Sequence, residues 1–198
     1  MYNLPWAREN NSRKRGGSRF ISQQKFDTGI ILPGPKSIEE TNVPKSHWLL
    51  KTEPTTFSIQ HLEKTPGKTT HWEGVRNYQA RNFLRDQIKK GDEVFLYHSN
   101  TEIPAIVGIA KVVKDGYPDP SQFDPKSKYF DPGATEQIPR WYVVDIQHQK
   151  TFNTPLGLQT LKQIPELSKM VLLQKGSRLS VQPVTENEWK TIVTIAKK

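Results

Sequence analysis

Short strand-like runs, punctuated by proline and glycine, constrain this chain more than any other feature of its sequence. His47-Trp48-Leu49-Leu50-Lys51-Thr52 stops at Glu53-Pro54, because proline has no N–H to donate to a ladder. Glu93–His98 and Ile106–Val113 read as consecutive strands, a hairpin-like pair whose connecting loop closes at Pro104. Arg140–His148 resumes a strand, and Arg178-Leu179-Ser180-Val181-Gln182 forms a last one before Pro183. That strand count is what a small barrel needs.

Helical patterns fill the intervals. Ser58 caps a short helix with Ile59 and Leu62 on one face, broken by Pro66-Gly67. Asn77 is placed to cap a helix carrying Ala80, Phe83, Leu84 and Ile88 at i, i+3, i+4 and i+8, ended by Gly91. Leu158–Gln163 reads as a short helix. Thr185-Glu186-Asn187-Glu188 is a capping box ahead of Trp189, Ile192, Val193 and Ala196, which share a helical face. In residues 116–139, Pro118, Pro120, Pro125, Pro132 and Pro139 forbid a central strand, while Tyr117, Phe123, Tyr129 and Phe130 argue against disorder. An ordered surface loop is expected there, and one α+β domain over 47–198.

Residues 1–46 have a different texture. Within residues 1–19, Arg8, Arg13, Lys14, Arg15 and Arg19 against a single Glu9 concentrate positive charge, with Pro33-Gly34-Pro35 and Pro44 further on. This segment reads as a basic, flexible N-terminal extension: a solvated leader, a nuclear address or a phosphate-contacting arm. Hydrophobic residues make up only 34% of the chain, below the roughly 45–50% usual for globular domains, as an extension of this kind requires.

The formal net charge of +9 attracts polyanions, with nucleic acid the leading partner class and an anionic membrane second. Zero cysteines exclude disulfides, thiolate catalysis and cysteine-held zinc or iron–sulfur centres. No apolar run approaches the roughly 18–20 residues that span a bilayer, and the first 20 residues hold no apolar segment for a secretory signal. A monomeric intracellular protein is expected, cytoplasmic in a bacterium and nuclear in a eukaryote, with no membrane association. The histidines at 47, 61, 71, 98 and 148 show no metal-ligand spacing, and no glycine-rich phosphate cradle occurs, so neither metal nor cofactor is expected. His98-Ser99 lacks the elbow of a serine hydrolase.

Three segments remain informative, each with a plain structural alternative. Trp72–Asn82 places an aromatic ring, Gly74, Arg76 and Asn77 around a helix start, so Trp72 is a base-stacking ring or simply core, and Asn77 an edge-reading amide or simply a cap. Tyr97-His98-Ser99-Asn100 puts a ring, an imidazole, a hydroxyl and an amide at a strand end, as a site or as an ordinary turn. In Arg178–Gln182, strict alternation puts Arg178, Ser180 and Gln182 on one face, as a binding face or an exposed polar one.

Read together with Trp48-Leu49-Leu50-Lys51-Thr52-Glu53-Pro54, Gly116-Tyr117-Pro118-Asp119-Pro120 and Asp124-Pro125-Lys126-Ser127-Lys128-Tyr129, these segments resemble the EVE domain, a PUA-like family, over nearly all of 47–198. The resemblance implies a mixed β-barrel of about five to six strands surrounded by short helices. It also implies a non-enzymatic module whose pocket accepts a modified nucleobase flipped from DNA or RNA. Carried onto this sequence, the nucleobase pocket falls on Thr52, Trp72, Val75, Asn77, Tyr97, His98, Ser99, Ser180 and Gln182. Phosphate contacts fall on Lys51, Arg76, Arg81 and Arg178. Many members have serine where Thr52 stands, so the extra methyl narrows the pocket or leaves the hydroxyl's role intact. Two other readings stand beside this one. Lys51-Thr52-Glu53 supplies amine, hydroxyl and carboxylate for an amidohydrolase-like enzyme acting on a modified nucleoside, although contiguity on one strand argues against convergence. An interaction adaptor with a vestigial pocket would use the extension to recruit partners.

Overall fold

The computed structural model describes residues 45–197; the basic extension expected over 1–46 lies, but for its last two residues, outside them. The described strands are β1 (His47–Thr52), β2 (Thr69–His71), β3 (Glu93–His98), β4 (Ala105–Pro118), β5 (Tyr142–Gly157) and β6 (Val181–Val184). The helices are α1 (Ile59–Lys64), α2 (Tyr78–Asn82), α3 (Leu158–Lys162) and α4 (Glu186–Ile195). The fold is α+β: one six-stranded mixed sheet in the order β2-β5-β4-β3-β1-β6, with β1 and β3 parallel and the other pairs antiparallel.

The central strand β1 is buried from His47 to Leu50, so its two faces serve different cores. Trp48 and Leu50 join Val94, Leu96 and Val181 beneath Ile59 and Leu62 of α1 and Ala80 and Leu84 of the α2 region. Leu49 joins Phe95, Tyr97 and Ile106 beneath Leu161 of α3 and Trp189 and Ile192 of α4. Each large apolar side chain sealed this way contributes about 1.5–3 kcal/mol. Phe95 stacks on Trp189 with ring centroids 3.9 Å apart, which fixes α4 to the sheet. All three expected caps form: the Ser58 and Thr185 hydroxyls accept from the N–H groups of His61 and Glu188 and complete capping boxes, and Asn77 Oδ1 accepts the Ala80 N–H.

Four departures from the sequence expectations have physical causes. First, the helix capped by Asn77 is regular only to Asn82. From Phe83 to Gln87 it widens into a π turn, and Ile88 is already extended. Gly116 of β4 lies so close that a Cβ there would stand 2.2 Å from the Leu84 carbonyl oxygen. Second, β4 continues through Gly116 to Pro118, because Pro118 faces Tyr142 at the end of the ladder, where a missing N–H costs little. Third, β5 runs to Gly157 rather than His148, with four register shifts against β4 that coil both strands toward a barrel-like curve. Fourth, β6 begins at Val181 and passes through Pro183. It is an edge strand, where proline is tolerated, so Arg178 and Ser180 lie in the approach to the strand and not on its face.

The proline-rich segment is ordered by two buried polar residues. Gln122 donates from Nε2 to the carbonyls of Asp119 and Trp141, and its Oε1 accepts from the N–H groups of Arg140 and Trp141. Asp119, fully buried like Gln122, anchors the other end of the segment, as described below.

Candidate nucleobase-binding site

The two edges of the sheet, β2 and β6, do not pair, and a cavity of about 640 Å³ draws walls from both sides of that seam. Lys51 and Thr52 enter from the end of β1, Glu53, Thr56 and Phe57 from the turn after it, and Ser99 from the end of β3. Thr70 and His71 of β2 lead into the loop Trp72-Glu73-Gly74-Val75 on the opposite side. Lys128 and Tyr129 close one rim, Arg178 and Ser180 another.

Three rings shape the interior. Trp72 is only 7% exposed; its backbone N–H donates to the Val144 carbonyl and its indole meets Phe57 edge-on at 6.3 Å. It is therefore core and cavity wall at once. Tyr129 lies directly over Gly74: a Cβ at that position would be 2.4 Å from Tyr129 Cζ, and the φ of +80° independently favours glycine.

The hydroxyls have fixed senses. Thr52 Oγ1 donates to the Phe57 carbonyl at 2.9 Å, and Ser99 Oγ donates to the Thr52 carbonyl at 3.3 Å. With their protons committed to backbone, both hydroxyls are left able only to accept from a ligand in the cavity they line. Lys51 donates from Nζ to the Ser177 carbonyl, and burial pushes its pKa below the ordinary lysine value.

The loop that carries Tyr129 is held by Arg76. Its guanidinium donates to Asp119 Oδ2 at 2.8 Å, to Ser121 Oγ at 3.2 Å and to the Tyr129 carbonyl. Asp119 also accepts from the Ser121 N–H and hydroxyl and from the Gly74 N–H. Burial raises its pKa, but the hydrogen bonds from Ser121 and Arg76 outweigh that and hold the carboxyl below its ordinary value.

Of the expected nucleobase residues, the fold brings Thr52, Trp72, Val75, Ser99 and Ser180 to one cavity. Asn77, Tyr97, His98 and Gln182 do not line it. Asn77 is exposed and spends its side-chain oxygen on the Ala80 N–H as the α2 cap. Tyr97 belongs to the core on the other face of the sheet, where burial raises its pKa. His98 Nε2 accepts the Ile59 N–H at 3.2 Å, which requires a neutral nitrogen, and burial lowers its pKa. Gln182 is 1% exposed, and its Nε2 donates to Ser177 Oγ and the Leu179 carbonyl, supporting from behind the turn that presents Arg178 and Ser180.

Of the expected phosphate contacts, Lys51 and Arg178 reach the cavity. Arg76 is consumed by the Asp119 network, and Arg81 lies away from the cavity, donating to the Arg140 carbonyl at 3.0 Å. Sequence reasoning missed Phe57, Lys128 and Tyr129 as cavity residues. The signal for the last two was available in the Asp124–Tyr129 motif, but nothing local says that this loop folds back over Gly74.

Comparison with known proteins gives a consistent result. The family model described as EVE domain matches residues 46–195. Human thymocyte nuclear protein 1 is 41% identical over 170 residues, covering 77% of this chain and 75% of that protein. A Pseudomonas syringae protein of known crystal structure is 49% identical, with a TM-score of 0.72 over 76% of this chain and 99% of that one. The crystal structure of human THYN1 in complex with 5-methylcytosine-containing DNA is 40% identical, with a TM-score of 0.73 over 78% of this chain and 99% of that one.

Proposed function

The chain belongs to the EVE domain family, and from that premise we propose that it is a nucleic-acid-binding module that holds a modified base, flipped out of its strand, in the cavity between the sheet edges. The observation that carries this reading is the cavity wall itself: aromatic surface from Trp72, Phe57 and Tyr129, joined by the acceptor lone pairs of Thr52 and Ser99. Flipping costs a few kcal/mol of unstacking, and stacking on an aromatic ring returns about 1–3 kcal/mol. A wall of acceptors favours bases that present an exocyclic amine, as cytosine, adenine and guanine do and thymine does not. The complex of human THYN1 with 5-methylcytosine-containing DNA supports cytosine as the base to test first. Lys51, Lys128 and Arg178 at the cavity supply positive charge for the flanking phosphates.

The test is equilibrium binding of oligonucleotides, single- and double-stranded, that carry 5-methylcytosine, hydroxymethylcytosine, N6-methyladenine or no modification. Thr52→Val removes the hydroxyl and should weaken binding of the preferred base while leaving the unmodified control at its salt-sensitive background; Thr52→Ser should retain the preference. Discrimination by one methyl is worth about 1–3 kcal/mol, so a preference of roughly 5- to 150-fold is expected. Identical affinity for every oligonucleotide would reduce the protein to a backbone binder.

An enzymatic reading has one observation in its favour. Lys51, Thr52 and Glu53, expected to diverge, all line the cavity because β1 ends at Thr52. Yet the Thr52 hydroxyl donates to backbone carbonyls and to no base, which leaves it without the activation a nucleophile needs. Binding without turnover is therefore the better reading, and incubation with acylated nucleosides should release no product. The nuclear address in the relative's name, together with the basic extension, supports a nuclear protein. No helix among the described residues is long and apolar enough to cross a membrane.

A further inference from the structure

Tyr78 is a large aromatic residue left 58% exposed, and its surroundings are ordered. Its ring stacks on the buried Trp141, with centroids 5.1 Å apart and planes inclined by 29°. The Arg81 guanidinium lies 4.9 Å from the Tyr78 centroid, and among the described residues no carboxylate pairs with it. On the other side of this stack, the Arg76 guanidinium lies 5.3 Å from the Trp141 centroid and 5.3 Å from that of Tyr129. A ladder of contacts thus runs from Tyr129 at the cavity rim, through Arg76 and Trp141, to Tyr78 on the surface, where Arg81 lies beside a ring that stays 58% exposed.

From this ladder we propose that Tyr78 and Arg81 form a second nucleic-acid contact, which stacks the nucleotide beside the flipped base and neutralises its phosphate. The proposal rests on the nucleic-acid reading of the cavity. An exposed ring with a cation beside it suits a base face and a phosphate together, and suits an apolar partner poorly. Trp141 and Arg81 hold the ring in place before binding, so little rotamer entropy remains to be lost. Arg76 links the platform to the cavity rim through its hydrogen bonds to the Tyr129 carbonyl and its contact with Trp141, so one strand can engage both.

The experiment uses the full chain and fluorescein-labelled single-stranded DNA with one central 5-methylcytosine or cytosine, titrated by anisotropy at several salt concentrations. Tyr78→Ala should weaken binding of both oligonucleotides by about fivefold to a hundredfold and leave their ratio unchanged. Tyr78→Phe should bind like the parent, and Arg81→Ala should lower the salt slope by about 0.7. Thermal melting of each variant establishes that it is folded, and Tyr78→Leu, which keeps apolar cover over Trp141, separates stacking from packing: it should bind as weakly as Tyr78→Ala. Parental affinity in Tyr78→Ala, or a change confined to the methylated oligonucleotide, overturns the platform while the cavity reading stands. A parent that does not distinguish the two oligonucleotides, but still weakens in Tyr78→Ala, defeats the cavity reading and supports the platform. No binding by the parent overturns both.

Discussion

Gly74 and Trp72 show how single residues determine which experiments on this site are informative. Trp72 lines the cavity, but it is also buried against Phe57, so Trp72→Ala removes core as well as wall and costs about 3–5 kcal/mol. Loss of binding in that variant would not distinguish the two roles. Gly74→Ala is more pointed. The new methyl cannot occupy the space that the Tyr129 ring fills, and the φ of +80° adds strain of about 1 kcal/mol. The expected outcome is a folded protein with displaced Tyr129, read as loss of base preference in oligonucleotide binding and a lowered melting temperature.

At the scale of elements, the segment between β4 and β5 acts as a fixed wall because Asp119 and Gln122 satisfy its backbone and Arg76 ties it to the loop ahead of α2. Asp119 is fully buried while its partner Arg76 is about a quarter exposed, so Asp119→Ala, which strips the acceptor from Arg76, Ser121 and Gly74, should cost about 1–3 kcal/mol. The same pair makes stability pH-dependent. The carboxyl titrates lower in the folded protein than in the unfolded chain, so its contribution is complete above about pH 4 and is lost as pH falls through the folded value. Melting temperatures measured from pH 7 to pH 3 should therefore decline more steeply for the parent than for Asp119→Asn, which carries no titrating group there.

For the whole molecule, the formal charge of +9 makes salt dependence the first expected property of any nucleic-acid complex. If Lys51, Lys128, Arg178 and Arg81 each meet a phosphate, the logarithm of the binding constant should fall against the logarithm of salt with a slope of about −2.8 to −3.6. Arg76→Gln should leave that slope unchanged, since the Arg76 guanidinium is already spent on Asp119 and Tyr129. A slope reduced by the Arg76 substitution would return this residue to the phosphate-contacting set.

Composition, period and punctuation alone carried the α+β class, five of the six strands, the Thr185 capping box and the basic character of the chain, because none of these depends on contacts between distant residues. The three-residue strand β2 was too short to show a pattern, and the π turn after Asn82 answers to β4 packing 34 residues on, not to local propensity. The resemblance to the EVE domain, carried onto this sequence, also named Thr52, Trp72, Val75, Ser99 and Ser180, which the fold gathers at one cavity. Side-chain direction was not legible. Arg76 and Gln182 carry the right chemistry to touch a ligand, yet both are turned to internal partners, Asp119 and the turn before β6. Only the tertiary structure decides this, since a long polar side chain goes to whichever buried acceptor or donor would otherwise stand unpaired, and that partner comes from elsewhere in the chain.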